Sequence, residues 1–206
     1  MYDIVAKGGA TFCVIIACSL LAMTIVIERW WFYRKVARED QIYMPDLRQA
    51  IAAGSARPFG TGDGPLARLW MVMYGHYLAA SEEVELAGET ALDSESMRLE
   101  KYLYILATIA TIAPLLGLLG TVLGMIKTFH VAAVSGAGNP QLLSEGIAEA
   151  LYNTAAGLFV TIFCIVCHNH YRNWVERRLR ILESRIKEFS SLLKAKGENN
   201  VATQGK

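Results

Sequence analysis

The sequence predicts an all-α integral membrane protein with three transmembrane helices, its amino end outside, and long helices extending into the cytoplasm. Three observations predict it. Hydrophobic residues make up 53% of the 206, and they gather in three blocks that nearly exclude charge. Each block is close to the ~20 residues that cross a hydrocarbon core as a helix. Lys and Arg cluster after the first block (Arg29, Arg34, Lys35, Arg38) and after the third (Arg172, Arg177, Arg178, Arg180), whereas the connector Val131–Glu145 has neither. By the positive-inside rule, the amino terminus lies outside and the tail inside.

The first block is Gly8–Ile27, GGATFCVIIACSLLAMTIVI. A signal peptide would begin with basic residues and end its shorter apolar run at a small-residue cleavage site. Here the charge follows the apolar run, in Glu28 to Lys35, so residues 1–28 are expected to form the first transmembrane helix. Trp30, Trp31, Phe32 and Tyr33 fit an aromatic belt at the inner interface.

Residues 29–101 are expected to be a cytoplasmic helical segment. The turn-rich run Ser55–Pro65 splits it. Leu66, Leu69, Trp70, Met73 and Tyr77 then recur at the spacing of an amphipathic helix. Ser81, Glu82 and Glu83 read as the start of another helix. It carries Glu85, Glu89, Asp93 and Glu95 and runs on towards the second span.

Residues 102–169 hold the second block, Tyr102–Ile126, and the third, about Ile147–Cys167. The outer connector, Ser135 to Pro140, is a short turn, too small for a folded external domain. In the tail, 170–206, Val175, Leu179, Leu182, Ile186, Phe189 and Leu193 alternate steps of four and three. Two readings stay open: a helix packed on the cytoplasmic helices of its own chain, or one that continues the third span and packs between subunits. The basic tail and the acidic helix are placed to face each other.

Composition excludes several classes of function. With 20 basic against 19 acidic side chains and no basic face interleaved with aromatics, nucleic acid is not the partner. The four cysteines show no paired loop pattern, so no disulfide framework is expected. No G-x-S-x-G elbow, phosphate loop or H-E-x-x-H helix occurs, so no enzyme activity is expected. Cys164-Ile165-Val166-Cys167-His168 matches the C-x-x-C-H pattern of c-type haem attachment. That attachment needs an extracytoplasmic site, and the charges place this end of span three inside. No cofactor and no metal is expected.

The stretch Ala113–Met125, APLLGLLGTVLGM, carries a proline, three glycines and a threonine inside an apolar run. Steps of three and four from Thr121 reach Pro114, Gly117, Gly124 and Thr128, with Gly120 beside them. Span three has a matching stripe of Ala150, Thr154, Gly157 and Thr161, flanked by Glu149 and Asn153. Small residues allow close helix approach in lipid. A proline persists where neighbours or water satisfy the carbonyl it frees. The spans are antiparallel, and both Thr121 and Thr154 lie roughly 10 Å beneath the outer boundary at 1.5 Å rise per residue. Taken singly, each threonine would bond its own backbone. The shared depth and Glu149 near the entrance point instead to a lined cavity. No Asp, Glu, Lys or His lies near the middle of any span, and a proton relay ordinarily needs one. If protons are handled here, a partner helix supplies the carboxylate.

APLLGLLGTVLGMIKTF followed by GIAEALYNTAAGLF resembles the MotA/TolQ/ExbB proton-channel proteins, in particular the ExbB/TolQ branch. The likeness is strong over about 105–170. It implies five copies around a dimer of ExbD- or TolR-like one-span subunits carrying a membrane aspartate, with a TonB- or TolA-like protein beyond. It implies residence in the bacterial inner membrane and work driven by proton flow. By the resemblance Thr121 and Thr154 are pore threonines, Glu149 matches the family's glutamate and Pro114 its span-two proline; Asn153 and Thr161, from the stripe of span three, are expected along the proton path as well. Pro114, Gly117, Gly120, Gly124 and Gly157 are helix-packing positions. Two positions depart from the family pattern. Phe163 stands where many members place a proline, which removes the usual cause of a kink, and Asn153 replaces a small or apolar residue and adds a pore ligand. The alternatives are a non-conducting membrane scaffold, a gliding-type motility motor subunit, and a redox membrane protein using the cysteines. A visible spectrum of the purified protein is expected to lack a Soret band; its presence would establish the haem reading.

Overall fold

The computed structural model describes residues 9–52, 64–79, 83–135 and 140–204. They form five helices: α1 (Gly9–Ala52), α2 (Pro65–Leu78), α3 (Val84–Glu100), α4 (Leu103–Ser135) and α5 (Pro140–Gln204). Three stretches are long and apolar enough to cross a membrane: Ala10–Gln41, Leu103–Val134 and Leu143–Ser191. Most of the expected turn at 55–65, the helix start at Ser81–Glu82 and the outer turn at 136–139 lie outside the described residues.

The chain divides into two compact units. The first comprises Met1–Glu28 and Tyr102–Tyr171. Apart from Asn153 and Tyr171, its buried side chains are small or aliphatic, among them Ile15, Ala22 and Ile25 from α1, Leu106, Ile109 and Ala113 from α4, Ala150, Val160 and Cys164 from α5. The Tyr171 hydroxyl donates to the Val26 carbonyl at 2.9 Å. Large apolar side chains such as Leu20, Leu115, Ile126 and Phe159 point outward. Water tolerates few such patches, whereas lipid is as apolar as they are. Helix α4 runs unbroken through Pro114. Helix α5 runs unbroken through Phe163.

The second unit comprises Arg29–Lys101 and Arg172–Lys206. Proline at the start of α2 follows an extended Gly64, the usual geometry of a helix entry. The face of α2 predicted from its spacing is the buried one: Leu66, Leu69, Trp70 and Met73 pack with Val84 of α3 and with Leu182, Ile186, Phe189 and Leu193 of α5. Trp70 meets Phe189 edge to face at 4.8 Å, the geometry favoured by the ring quadrupoles. At Gly88 an added Cβ would lie 2.9 Å from side-chain atoms of Ile186 and Met73, so a larger residue there would have to displace them. The tail therefore joins parts of both open readings. It continues the third span in one helix, and its heptad seam packs on α2 and α3 of the same chain. Lys194 reaches Glu85 at 3.7 Å, so tail and acidic helix do meet, through an exposed pair.

Helix α1 continues beyond its apolar block to Ala52. Arg29, Tyr33, Val36 and Asp40 are buried, at steps of four, three and four, so one face of this continuation belongs to the second unit. This corrects the belt reading for Tyr33: Trp30 and Trp31 are exposed, but Tyr33 is 5% exposed. Its hydroxyl donates to the Leu99 carbonyl at 2.8 Å and its ring lies 4.5 Å from Trp174. Asp40 pairs with Arg178. The acidic helix runs to Glu100, and the second span's helix begins at Leu103. Lys101 is extended and Tyr102 takes φ 68°, a left-handed conformation that costs a non-glycine residue about 1–2 kcal/mol.

Glu95, 5% exposed, is held by Arg68 through two parallel bonds, with Nη2 to Oε2 at 2.7 Å. Removing the arginine strands a carboxylate in the core. Arg68→Ala is expected to cost about 2–3 kcal/mol, the lower side of a buried pair because Arg68 is partly exposed. Lys194→Ala, at the exposed pair, is expected to cost under about 0.5 kcal/mol. Thermal unfolding of the detergent-solubilised protein checks both.

Candidate functional site

The second and third spans pack through their glycines. A Cβ at Gly157 would lie 2.5 Å from the Ala113 carbonyl oxygen and 3.1 Å from the Gly117 Cα. One at Gly117 would lie 2.9 Å from the Asn153 carbonyl oxygen and 3.1 Å from the Thr154 Cα. One at Gly124 would meet the Ala150 Cβ at 2.8 Å, and one at Gly120 the Asn153 Cβ at 2.7 Å. Pairing thus steps from 124 with 150, through 120 with 153, to 113 and 117 with 157, the order of antiparallel helices. At 117 and 157 the obstacle is backbone, which no rotamer change relieves. These glycines, expected to be helix-packing positions, pack the second span on span three of the same chain. Pro114 is half-buried within the unbroken α4.

That contact brings Thr121 and Thr154 together. Their hydroxyls are in direct contact. The Thr121 hydroxyl donates to the Gly117 carbonyl of its own helix at 3.0 Å. The Thr154 hydroxyl donates to the same carbonyl, across the helix pair, at 3.1 Å. Backbone bonding within the helix is the default for threonine in an apolar helix. Thr24, Thr108, Thr111, Thr128 and Thr161 all follow it, each bonding the carbonyl four residues back. Thr154 departs from that default.

The remaining expected residues are placed as follows. Thr161 lies two turns along α5 from Thr154, its hydroxyl on Gly157, and is not brought to the pair. Asn153 is 4% exposed, packed on Gly120, and its Oδ1 is enclosed without a hydrogen-bond partner. Glu149, half-buried, stands one turn from Asn153 on the outer side. In the C-x-x-C-H run Cys164 is buried, Cys167 half-buried, and both are free thiols; His168 contacts Asn169 at 3.4 Å. Among the described residues no cluster of three or more His, Cys, Asp or Glu is placed to hold a metal ion.

A sequence model of the MotA/TolQ/ExbB proton channel family matches residues 67–184, more than half of the chain. The chain belongs to this family. Among its relatives, an ExbB-like biopolymer transport protein of Synechocystis sp. is 36% identical over 178 residues, which is 81% of this chain and 68% of that protein. The biopolymer transport protein ExbB of Aquifex aeolicus is 42% identical over 93 residues, 45% of this chain and 63% of that protein. The Tol-Pal system protein TolQ of Haemophilus influenzae is 26% identical over 195 residues, 87% of this chain and 86% of that protein. These similarities set this family member in the ExbB/TolQ-like branch. The match includes both glycine-packed spans and the threonine pair, together with α2 and α3 of the second unit.

Sequence reasoning had the threonines, but not the carbonyl that unites them. The signal lay in the register: Gly117 is four residues before Thr121, and Gly157 three after Thr154, so close packing at the glycines aligns the hydroxyls. Gly157→Ala is expected to destabilise the span pair by about 1–3 kcal/mol, because backbone on both sides resists the extra methyl group. Gly75→Ala, in the exposed interior of α2 with nothing within 4 Å of the added carbon, is expected to stabilise by about 0.5–1 kcal/mol. Melting midpoints in detergent distinguish the two.

Proposed function

We propose that this chain is the ExbB/TolQ-like subunit of an inner-membrane motor driven by the proton-motive force. In this reading the amino end faces out, and residues 29–101 and 170–206 lie in the cytoplasm. Copies of the chain assemble as a homo-oligomer, by resemblance a pentamer, around ExbD/TolR-like single-span helices. A membrane aspartate on those helices carries the proton. The resulting movement is delivered to a TonB- or TolA-like protein for transport or envelope work. Family membership supports the class, as do the transport and Tol-Pal system names of the relatives.

The observation that carries the reading to particular residues is Thr154 reaching across to the Gly117 carbonyl beside Thr121. It sets two hydroxyls at one level in spans that hold no mid-span carboxylate of their own. Thr121 and Thr154 are the contacts for the partner's acid, Glu149 is the polar residue on the outer approach, and the glycines hold the spans in register. A proton moving through 100 mV releases about 2.3 kcal/mol. That is enough to shift a packed interface between two arrangements differing by a few kcal/mol.

The test replaces Thr121 and Thr154 by Val, which keeps the shape and removes the hydroxyl. Proton flux through proteoliposomes holding the complex is expected to fall at least tenfold for the double variant, with assembly unchanged by size-exclusion chromatography. Full flux from an intact complex would remove both threonines from the path.

A further inference from the structure

The second unit holds a cleft of about 290 Å³ that the proton pathway does not use. Its long wall comes from α5, where Ile181, Leu182 and Arg185 lie three, four and seven residues beyond Arg178, the spacing of one helix face. Asp40 and Gln41 of α1 and Leu66 of α2 complete the lining. One stripe of α5 therefore sets an arginine at each end of an apolar floor.

Both arginines have donors left over. Arg178 is paired with Asp40, and Arg185 with Glu188. Yet the Nε of each is enclosed and has no hydrogen-bond partner. A guanidinium has five N–H donors and no acceptor, so only an acceptor can fill what remains. Leaving a buried, charged donor unfilled is expensive. Asp40 is not free to supply the acceptor: besides Arg178, its Oδ1 accepts the Leu66 N–H at 3.4 Å. The charged groups lining the cleft are thus two cations from α5 and one anion from α1, while α2 contributes only Leu66. That balance favours a ligand with negative charge. The arginine side chains are 18% and 25% exposed, so the cleft can be reached from water.

Position along the helices separates the cleft from lipid. Arg178 lies eleven residues past Cys167, and Asp40 thirteen past Ile27, where the apolar blocks end. At 1.5 Å per residue these are roughly 16 and 20 Å beyond the hydrocarbon. The headgroup layer adds only about 5–8 Å on each side. A lipid phosphate does not extend that far. The volume equals that of roughly ten water molecules at ~30 Å³ each, more than one bridging water needs.

We propose that this cleft is a binding site for a small, water-soluble oxyanion with an apolar body, of the class of an alkyl phosphate or a short-chain carboxylate. Its anionic oxygens accept from the free Nε–H groups of Arg178 and Arg185, and its apolar part lies against Leu66, Ile181 and Leu182. Such a ligand touches α1, α2 and α5 together.

The test titrates the full chain, purified in nonionic detergent, with butyl phosphate and with hexanoate by calorimetry at matched ionic strength. At least one is expected to bind at one site per chain, and the head group of the tighter one tells phosphate from carboxylate. It is expected to bind at least about tenfold more tightly than inorganic phosphate or acetate, through its buried methylenes. Arg185→Met is expected to raise its Kd at least about tenfold, as the loss of a charged hydrogen bond implies. Gln41→Glu, an exposed change that leaves both arginines in place, is expected to raise it about threefold by repulsion at the mouth. That variant remains informative if Arg185→Met folds poorly. Absence of saturable binding by either anion would leave the cleft to water and overturn the proposal. An affinity unchanged in both variants would place the site elsewhere and overturn it too. Binding of added anionic phospholipid, with none for the soluble anions, would give the arginines to a lipid surface and equally overturn it.

Discussion

The backbone contact between Gly117 and Gly157 is the constraint from which the site follows. In lipid, apolar side chains gain nothing by leaving the solvent for each other, so span association relies on close packing and on interhelical hydrogen bonds. Both are present at one place here. A Cβ at either glycine would lie within 3.1 Å of backbone atoms on the facing helix, so the approach is possible only for glycine. That approach brings the Gly117 carbonyl within 3.1 Å of the Thr154 hydroxyl. Widen the contact by one methyl group and Thr154 returns to the default of bonding its own helix, as Thr161 does. The polar pair is thus a consequence of packing.

The same contact explains how two polar residues are tolerated in an apolar span. Each hydroxyl has a hydrogen-bond partner inside the protein, the Gly117 carbonyl. Lone pairs of a hydroxyl are cheaper to leave open than a buried donor or charge, because the group's stronger hydrogen-bonding demand is already met. Asn153 differs: its amide is packed on Gly120 and its Oδ1 is enclosed without a partner. The spans are therefore quiet at the threonines and unsatisfied at the asparagine.

How far this was legible in the sequence depended on whether the signal was local. Apolar blocks, the buried face of α2 and the heptad seam of the tail are periodicities within one helix, and the structure buries the residues they single out. The threonines were found by counting depth along two antiparallel helices. What escaped was set by contacts between distant segments. The continuation of α1 carries charged and aromatic residues that read as an interface, yet Arg29, Tyr33, Val36 and Asp40 are buried there. The Asp40–Arg178 pair and the Arg68–Glu95 pair join positions that no sequence spacing relates. The glycines were legible as packing positions, but not the helix they pack on. A small-residue stripe states that a backbone comes close, and not whose backbone it is. Here it belongs to the same chain.

The energies of the site suit repeated use. A neutral hydrogen bond contributes about 0.5–1.5 kcal/mol net, whereas an ion pair broken in a dry core costs several. Had the spans held a lysine or arginine at the level of Thr121, a carboxylate docking there would have stayed. With neutral hydroxyls there instead, a hydrogen bond to the acid is of the same size as, or smaller than, the ~2.3 kcal/mol that each proton yields across 100 mV. A contact that weak can be made and broken by every proton that passes. The absence of mid-span charge is therefore part of the proposed mechanism, because a motor subunit has to release the acid as readily as it receives it.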